Sequence, residues 1–178
     1  MQKKTIFEMG RDTVEEFRRK EKLPLVVVLD NIRSLNNIGA IFRTADAFRV
    51  ERLMLCGITA TPPSAEIHKT ALGAEESVAW EYFADTMEAV EQLKREGYTV
   101  LALELAKGSI PLDSYTARPA GRYAIVAGHE VDGVQQRVVD ACHGCIEIPQ
   151  EGTKHSLNVS VSTAIAMWEL FKSLRAKE

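Results

Sequence analysis

The chain has 178 residues, 46% of them hydrophobic and 26% charged, with a formal net charge of −3. That length suits one compact domain burying roughly 70% of its unfolded surface, and the charge excludes a globally basic nucleic-acid binder, so any RNA affinity must come from a local patch. No apolar run approaches the roughly 18 residues that span a bilayer, and Met1 to Gly10 lacks the pattern of a signal peptide. Both point to a cytoplasmic protein with no membrane partner.

Val14 and Phe17, set among charges between Thr13 and Lys22, predict a short amphipathic helix ended near Pro24. Residues 1–22 read as a helical arm ahead of a domain over 23–178. Leu25–Leu29 is a continuous aliphatic run, as expected for a strand buried on both faces. Ile38, Ile41, Phe42, Ala45 and Phe48 fall at helical spacing. Leu53–Cys56 reads as strand, Thr61-Pro62-Pro63 breaks the chain, and a short helix follows around Ser64–Ala71. Trp80–Phe83 is strand. Asp85 can cap a helix with Met87, Val90 and Leu93 inside and Gly97 at its stop. Tyr98–Leu103 is strand, followed by an irregular stretch through Pro111 and Pro119. Tyr123–Ala127 is strand, Val134–Ala141 helix and Ile146–Pro149 the last strand. A final helix carries Val161, Ile165, Trp168, Phe171 and Leu174 on one stripe. This alternation indicates an α/β fold, a mostly parallel sheet with helices on both faces.

Three cysteines argue against a disulfide scaffold. Cys142 and Cys145 have C-x-x-C spacing, but a zinc site would need two more ligands and a thioredoxin-like motif should open a helix. Two small residues packed beneath the sheet is the simpler reading, and no metal is expected. His68, His143 and His155 have no partner evident from spacing and read as structural. The glycine fingerprint of a dinucleotide site is missing: Leu29 leads into Asp30-Asn31-Ile32-Arg33-Ser34, with no glycine until Gly39. A GxxxxGK[ST] loop is missing too. Gly128 and Gly133 flank Glu130, a carboxylate that would repel a pyrophosphate. NAD, FAD and ATP are disfavoured; a nucleoside cofactor without phosphates is not.

Three polar segments stand where strands end and helices begin: Asn37-Ile38-Gly39 with Arg43-Thr44-Ala45, Gly128-His129-Glu130 through Gly133, and Ser156-Leu157-Asn158 after Ile148-Pro149. Strand ends of open α/β sheets are where ligands bind, so the three suggest one composite site. Together they resemble the SpoU/TrmH family of knotted methyltransferases, in the SPOUT superfamily, over about residues 24 to 175. The resemblance implies 2′-O-methylation of a ribose in tRNA or rRNA with S-adenosyl-L-methionine, a C-terminal trefoil knot and a homodimer. It assigns cofactor contacts to Leu103, Glu104, Gly128, Ile148, Ser156 and Leu157. His129 departs from it, standing where the family usually has asparagine.

Methyl transfer to a 2′-hydroxyl needs in-line placement, a route for the proton and stabilisation of developing negative charge. Arg43 is the best single candidate, on a helix otherwise apolar inside. Always protonated, it suits holding a phosphate and lowering the hydroxyl's pKa better than acting as base. Asn37, Glu130, Ser156 and Asn158 complete the catalytic set, although each is also an ordinary helix-capping type. For RNA contact the candidates are Arg11, Arg18 and Arg19 in the arm, diluted by Glu15, Glu16 and Glu21, with Arg33 and Lys69 in loops near the first segment. The alternative is a non-catalytic RNA-binding or ribosome-assembly protein of the same fold. A phosphate-binding Rossmann-like enzyme is a third possibility.

Overall fold

The computed structural model describes residues 1–5, 8, 10, 12–118 and 120–175. Seven strands, β1 (Leu23–Asp30), β2 (Val50–Cys56), β3 (Ala79–Phe83), β4 (Thr99–Leu103), β5 (Ile110–Pro111), β6 (Tyr123–Gly128) and β7 (Gly144–Glu147), form one parallel sheet in the order β3-β2-β1-β6-β4-β7-β5. The helices are α1 (Val14–Arg19), α2 (Leu35–Ala47), α3 (Ala65–Ala71), α4 (Ala74–Ser77), α5 (Thr86–Arg95), α6 (Gln136–Ala141) and α7 (Val159–Arg175).

Side-chain alternation along β1 builds two cores. Leu25, Val27 and Leu29 join a core with residues of α2, α3 and α7, while Val26 and Val28 join a second with α5 and α6. A central parallel strand is covered on both faces, which is why its sequence is an unbroken aliphatic run. Phe17 docks α1 onto the first core. On α2, Gly39 has no room for a side chain: a Cβ would lie 2.1 Å from Thr70 Oγ1 and 2.3 Å from the Ile67 carbonyl. Its absence lets α3 close against α2.

Three expectations change. β7 begins and ends two residues earlier than expected, because pairing with β4 (Leu101 with Gly144, Leu103 with Ile146) sets its register and Pro149 has no N–H to contribute. The cap of α2 is Ser34, which accepts the Asn37 N–H at 3.3 Å, so the Asn37 side chain is free for other work. The stripe expected on α7 also divides. The sheet side takes Val159, Thr163, Ala166, Met167 and Leu170, whereas Val161, Ile165 and Trp168 stay 47%, 39% and 48% exposed. This helix is apolar on both sides, and one chain covers only one of them. The helix α4, the edge strand β5 and a single 3-10 turn over Leu112–Ser114 lie in stretches where no element was expected.

Candidate active site at the strand carboxyl ends

A cavity of about 470 Å³ opens at the carboxyl ends of β4, β6 and β7, walled by the loop that leads into α7. Such a volume fits a nucleoside-sized ligand. Its floor depends on two glycines. A Cβ on Gly128 would lie 2.1 Å from the Val134 nitrogen, and one on Gly133 2.1 Å from Glu104 Oε2. Gly133 also has φ +69°, the left-handed region open to glycine.

A chain of hydrogen bonds links the three polar segments. The Asn158 amide donates to Asn37 Oδ1 at 3.2 Å, and the Asn37 amide donates to Glu130 Oε1 at 3.0 Å. Glu130 also accepts the main-chain N–H groups of Arg33 (3.0 Å) and Ser34 (2.9 Å) at the start of α2. Burial alone would raise the Glu130 pKa; these donors outweigh it and hold the carboxyl below its usual range. Asn158 Oδ1 in turn accepts the Ser160 N–H at 3.0 Å, capping α7. Asn37, Glu130 and Asn158 thus form one clamp across residues 121 apart in sequence.

Of the cofactor candidates, Leu103, Glu104, Gly128, Ile148, Ser156 and Leu157 all line the cavity. Glu104 is tied to its walls as well, accepting the Val134 N–H at 2.9 Å and the Leu105 N–H at 2.8 Å. Arg43 is not among the lining residues. It is exposed on α2, and its side chain makes no hydrogen bond or ion pair among the described residues. The lining holds Glu104, Glu130, Asp132 and Glu147 but no lysine or arginine.

The RNA candidates do not converge. Arg11 lies outside the described residues. Arg18 and Arg19 are on α1, ahead of the amino end of β1, with Arg18 donating to the Glu76 carbonyl. Lys69 pairs with Glu66 at 2.6 Å. Arg33 is exposed next to Glu130, to which its main chain is bonded.

One anchor went unseen in the sequence. Asp30, fully buried at the end of β1, accepts the Gln135 N–H (2.9 Å) and amide (2.7 Å) and the Thr86 hydroxyl (2.6 Å). It fixes the chain just beyond the β6 loop. The only sequence signal was a carboxylate closing an aliphatic run. Cys142 and Cys145 are free and half-buried against α6 and β7, and burial pushes the Cys142 thiol up to about 12. No cluster of His, Cys, Asp and Glu able to hold a metal occurs among the described residues, and no helix among them is long and apolar enough to cross a membrane.

A parallel sheet with a nucleoside-sized cavity at its strand carboxyl ends, lined by carboxylates and no lysine or arginine, places the chain among the α/β proteins that bind ligands at that edge. The sequence model of the SpoU rRNA Methylase family matches residues 24–168, and the chain belongs to that family. Among relatives, a 23S rRNA (guanosine-2′-O-)-methyltransferase RlmB from Vibrio vulnificus is 29% identical over 96% of this chain and 68% of its own length. An AdoMet-bound rRNA methyltransferase from Sinorhizobium meliloti superposes with a TM-score of 0.79 at 26% identity, over 89% of this chain and 62% of that one. A TrmH/SpoU tRNA modifying enzyme from A. aeolicus gives a TM-score of 0.79 at 28% identity, over 90% and 80%. The chain spans about two thirds of the length of the curated relatives it matches.

Proposed function

We propose that this chain methylates the 2′-hydroxyl of a ribose in RNA using S-adenosyl-L-methionine, with ribosomal RNA the first substrate class to test. One observation carries the reading: the Asn158–Asn37–Glu130 clamp beside a glycine-floored cavity that offers carboxylates and no cation. A positively charged sulfonium donor suits that lining, and a pyrophosphate does not. Held by the cavity lining, the cofactor would supply an electrophilic methyl carbon to the ribose oxygen and leave as the neutral thioether. The named companions at the rRNA level, RlmB of Vibrio vulnificus among them, favour ribosomal RNA over tRNA.

The residues take the following parts. Leu103, Gly128, Ile148, Ser156 and Leu157 hold the nucleoside, with Glu104 bracing the wall behind them. Glu130 orients Asn37 and the start of α2; a carboxyl held low by three donors is a poor proton acceptor. Arg43 supplies the positive charge the cavity lacks, holding the target's phosphate and lowering the pKa of its hydroxyl. The proton then passes to a phosphate oxygen or water. Arg43 is exposed on α2, a helix packed against α7, whose Val161, Ile165 and Trp168 are also exposed; assembly of two copies over that stripe would bring Arg43 to a shared site. The insertion of β7 between β4 and β5, with α7 returning against α2, supports the knotted C-terminus. An RNA substrate favours a cytoplasmic setting.

The test uses purified rRNA and tRNA with labelled methyl donor. Wild type should place the label where the adjacent phosphodiester resists alkali. Arg43→Ala should lose at least about 100-fold in rate while cofactor affinity, read by calorimetry, stays within a few fold. In light scattering wild type should show two copies and Trp168→Asp one. Failure to bind the cofactor, or label confined to bases, overturns the assignment.

A further inference from the structure

His129 lines the cavity on the loop after β6, and its geometry gives it a definite task. The loop after β6 is anchored at its far end, where Val134 donates to Glu104 and Gln135 to Asp30. Its base is closed by a pair of main-chain bonds between His129 and Gly133, at 3.0 and 2.9 Å. Between these points Val131 is 78% exposed and packs against little. The His129 ring holds this stretch from beneath: Nδ1 accepts the N–H groups of both Val131 and Asp132 at 3.2 Å. That acceptor role belongs to the tautomer with its proton on Nε2; protonated, the same Nδ1 would donate to Asp132 Oδ2, 3.1 Å away.

We propose that His129 is a positioning residue for the methyl-transfer site, whose neutral imidazole locks residues 130–132 and so sets Glu130 against α2 and the cavity wall against the cofactor. A proton added at Nδ1 removes the acceptor and turns it toward Asp132 Oδ2, 3.1 Å away, leaving two main-chain donors facing a donor. Asp132 is exposed, so that ion pair returns little. Glu130 and Asp132 on the same loop, Glu104 at the end of β4, Glu147 at the end of β7 and His155 ahead of α7 are the titratable groups around this cavity. Protonation at Nδ1 therefore opens the lock. An asparagine side chain can accept the same two N–H groups, as in an Asx turn, without titrating.

This inference rests on the functional reading above, and the experiment separates the two. Binding of S-adenosylmethionine to the full chain is measured at about pH 8 and about pH 5.5 for wild type, His129→Asn and His129→Ala. At the higher pH the asparagine variant should match wild type within about threefold and the alanine variant should bind roughly tenfold more weakly, through loss of the acceptor for two main-chain N–H groups. Acidification should weaken wild type at least about fivefold more than His129→Asn. Identical pH profiles for those two proteins overturn the proposal, whatever the alanine variant does. Amide hydrogen exchange of Val131 and Asp132, in the cofactor-free chain at one pH, provides the second arm. It should quicken in His129→Ala and return to the wild-type rate in His129→Asn; equal rates in all three overturn the proposal. If wild type binds no cofactor at any pH, the functional reading falls and the exchange arm alone decides the lock.

Discussion

The two ends of the sheet handle charge in opposite ways. At the amino ends of the strands, side chains neutralise one another. Arg52 on β2 pairs with Glu51 at 2.7 Å and with Glu96, and its Nε lies 3.1 Å from Glu81 without hydrogen-bond alignment. Tyr98 donates to Glu51 at 2.6 Å, and Arg122 lies 4.1 Å over the Tyr98 ring. At the carboxyl ends of β1, β4 and β6, around the cavity, carboxylates are instead held by main-chain N–H groups and amides: Asp30 by Gln135, Glu104 by Val134 and Leu105, Glu130 by Arg33, Ser34 and Asn37; Asp85 beyond β3, paired with Arg137 at 2.9 Å, stands apart from that group. Dipoles hold those anions without cancelling their charge. One end therefore serves stability, and the other keeps a negative field available for a cationic ligand.

The largest effect should come from crowding the functional end. In Gly128→Ala the new methyl meets the Val134 nitrogen at 2.1 Å and the Gly133 carbonyl carbon at 2.2 Å, both main chain and unable to swing aside. A cost of about 3 kcal/mol is expected, the upper end for overpacking, together with loss of cofactor binding. Urea unfolding and calorimetry report the two. A variant that binds normally would show that the cavity floor can move.

Arg52→Ala should do the reverse, lowering stability by about 2 kcal/mol and leaving cofactor affinity unchanged. The side chain is 14% exposed, so the effect lies between a surface pair and a buried one. Its pH dependence follows from Glu96. Burial alone would raise that carboxyl, but the Arg52 hydrogen bond and charge hold it below its usual range. A depressed folded-state pKa contributes stability above the unfolded value, near 4.3, and loses it as pH falls through the folded value. The gap between wild type and Arg52→Ala should thus be full at neutral pH and shrink in acid. Melting temperatures across that range check it; a gap constant with pH would mean that the arginine acts by packing alone.

The same division explains what was legible in the sequence. Periodicity reports burial, so β1, with both faces covered, and α5, with Asp85 accepting the Met87 N–H at 3.0 Å, were readable locally. The three polar segments were readable because polar side chains and glycines interrupt apolar patterns there. Partners are set by the fold, and they were not. Nothing near Asp30 in the chain announces Thr86 or Gln135, and nothing near Arg18 announces the Glu76 carbonyl that engages it. The strand β7 slipped by two residues because its register belongs to β4. On α7, spacing showed a stripe but could not say which side the sheet would cover, and Val161, Ile165 and Trp168 fell on the open one.

The smallest effect concerns α7, the helix that Asn158 caps at the functional end. Thr163 is fully buried there, and its hydroxyl has no hydrogen-bond partner among the described residues. The Val159 carbonyl, one turn back, accepts from the Ser162 hydroxyl at 3.1 Å instead. Valine has threonine's shape without the unpaired group, so Thr163→Val should raise stability by about 1 kcal/mol. Thr163→Ser keeps the hydroxyl and opens a methyl-sized gap, and should lower it by about 1 kcal/mol. Both are read from the midpoint of urea unfolding at unchanged slope. A gain in the valine variant means that a buried, unpaired hydroxyl next to the functional end costs stability. A loss would mean that the hydroxyl is satisfied in solution, and that the two ends differ in charge alone.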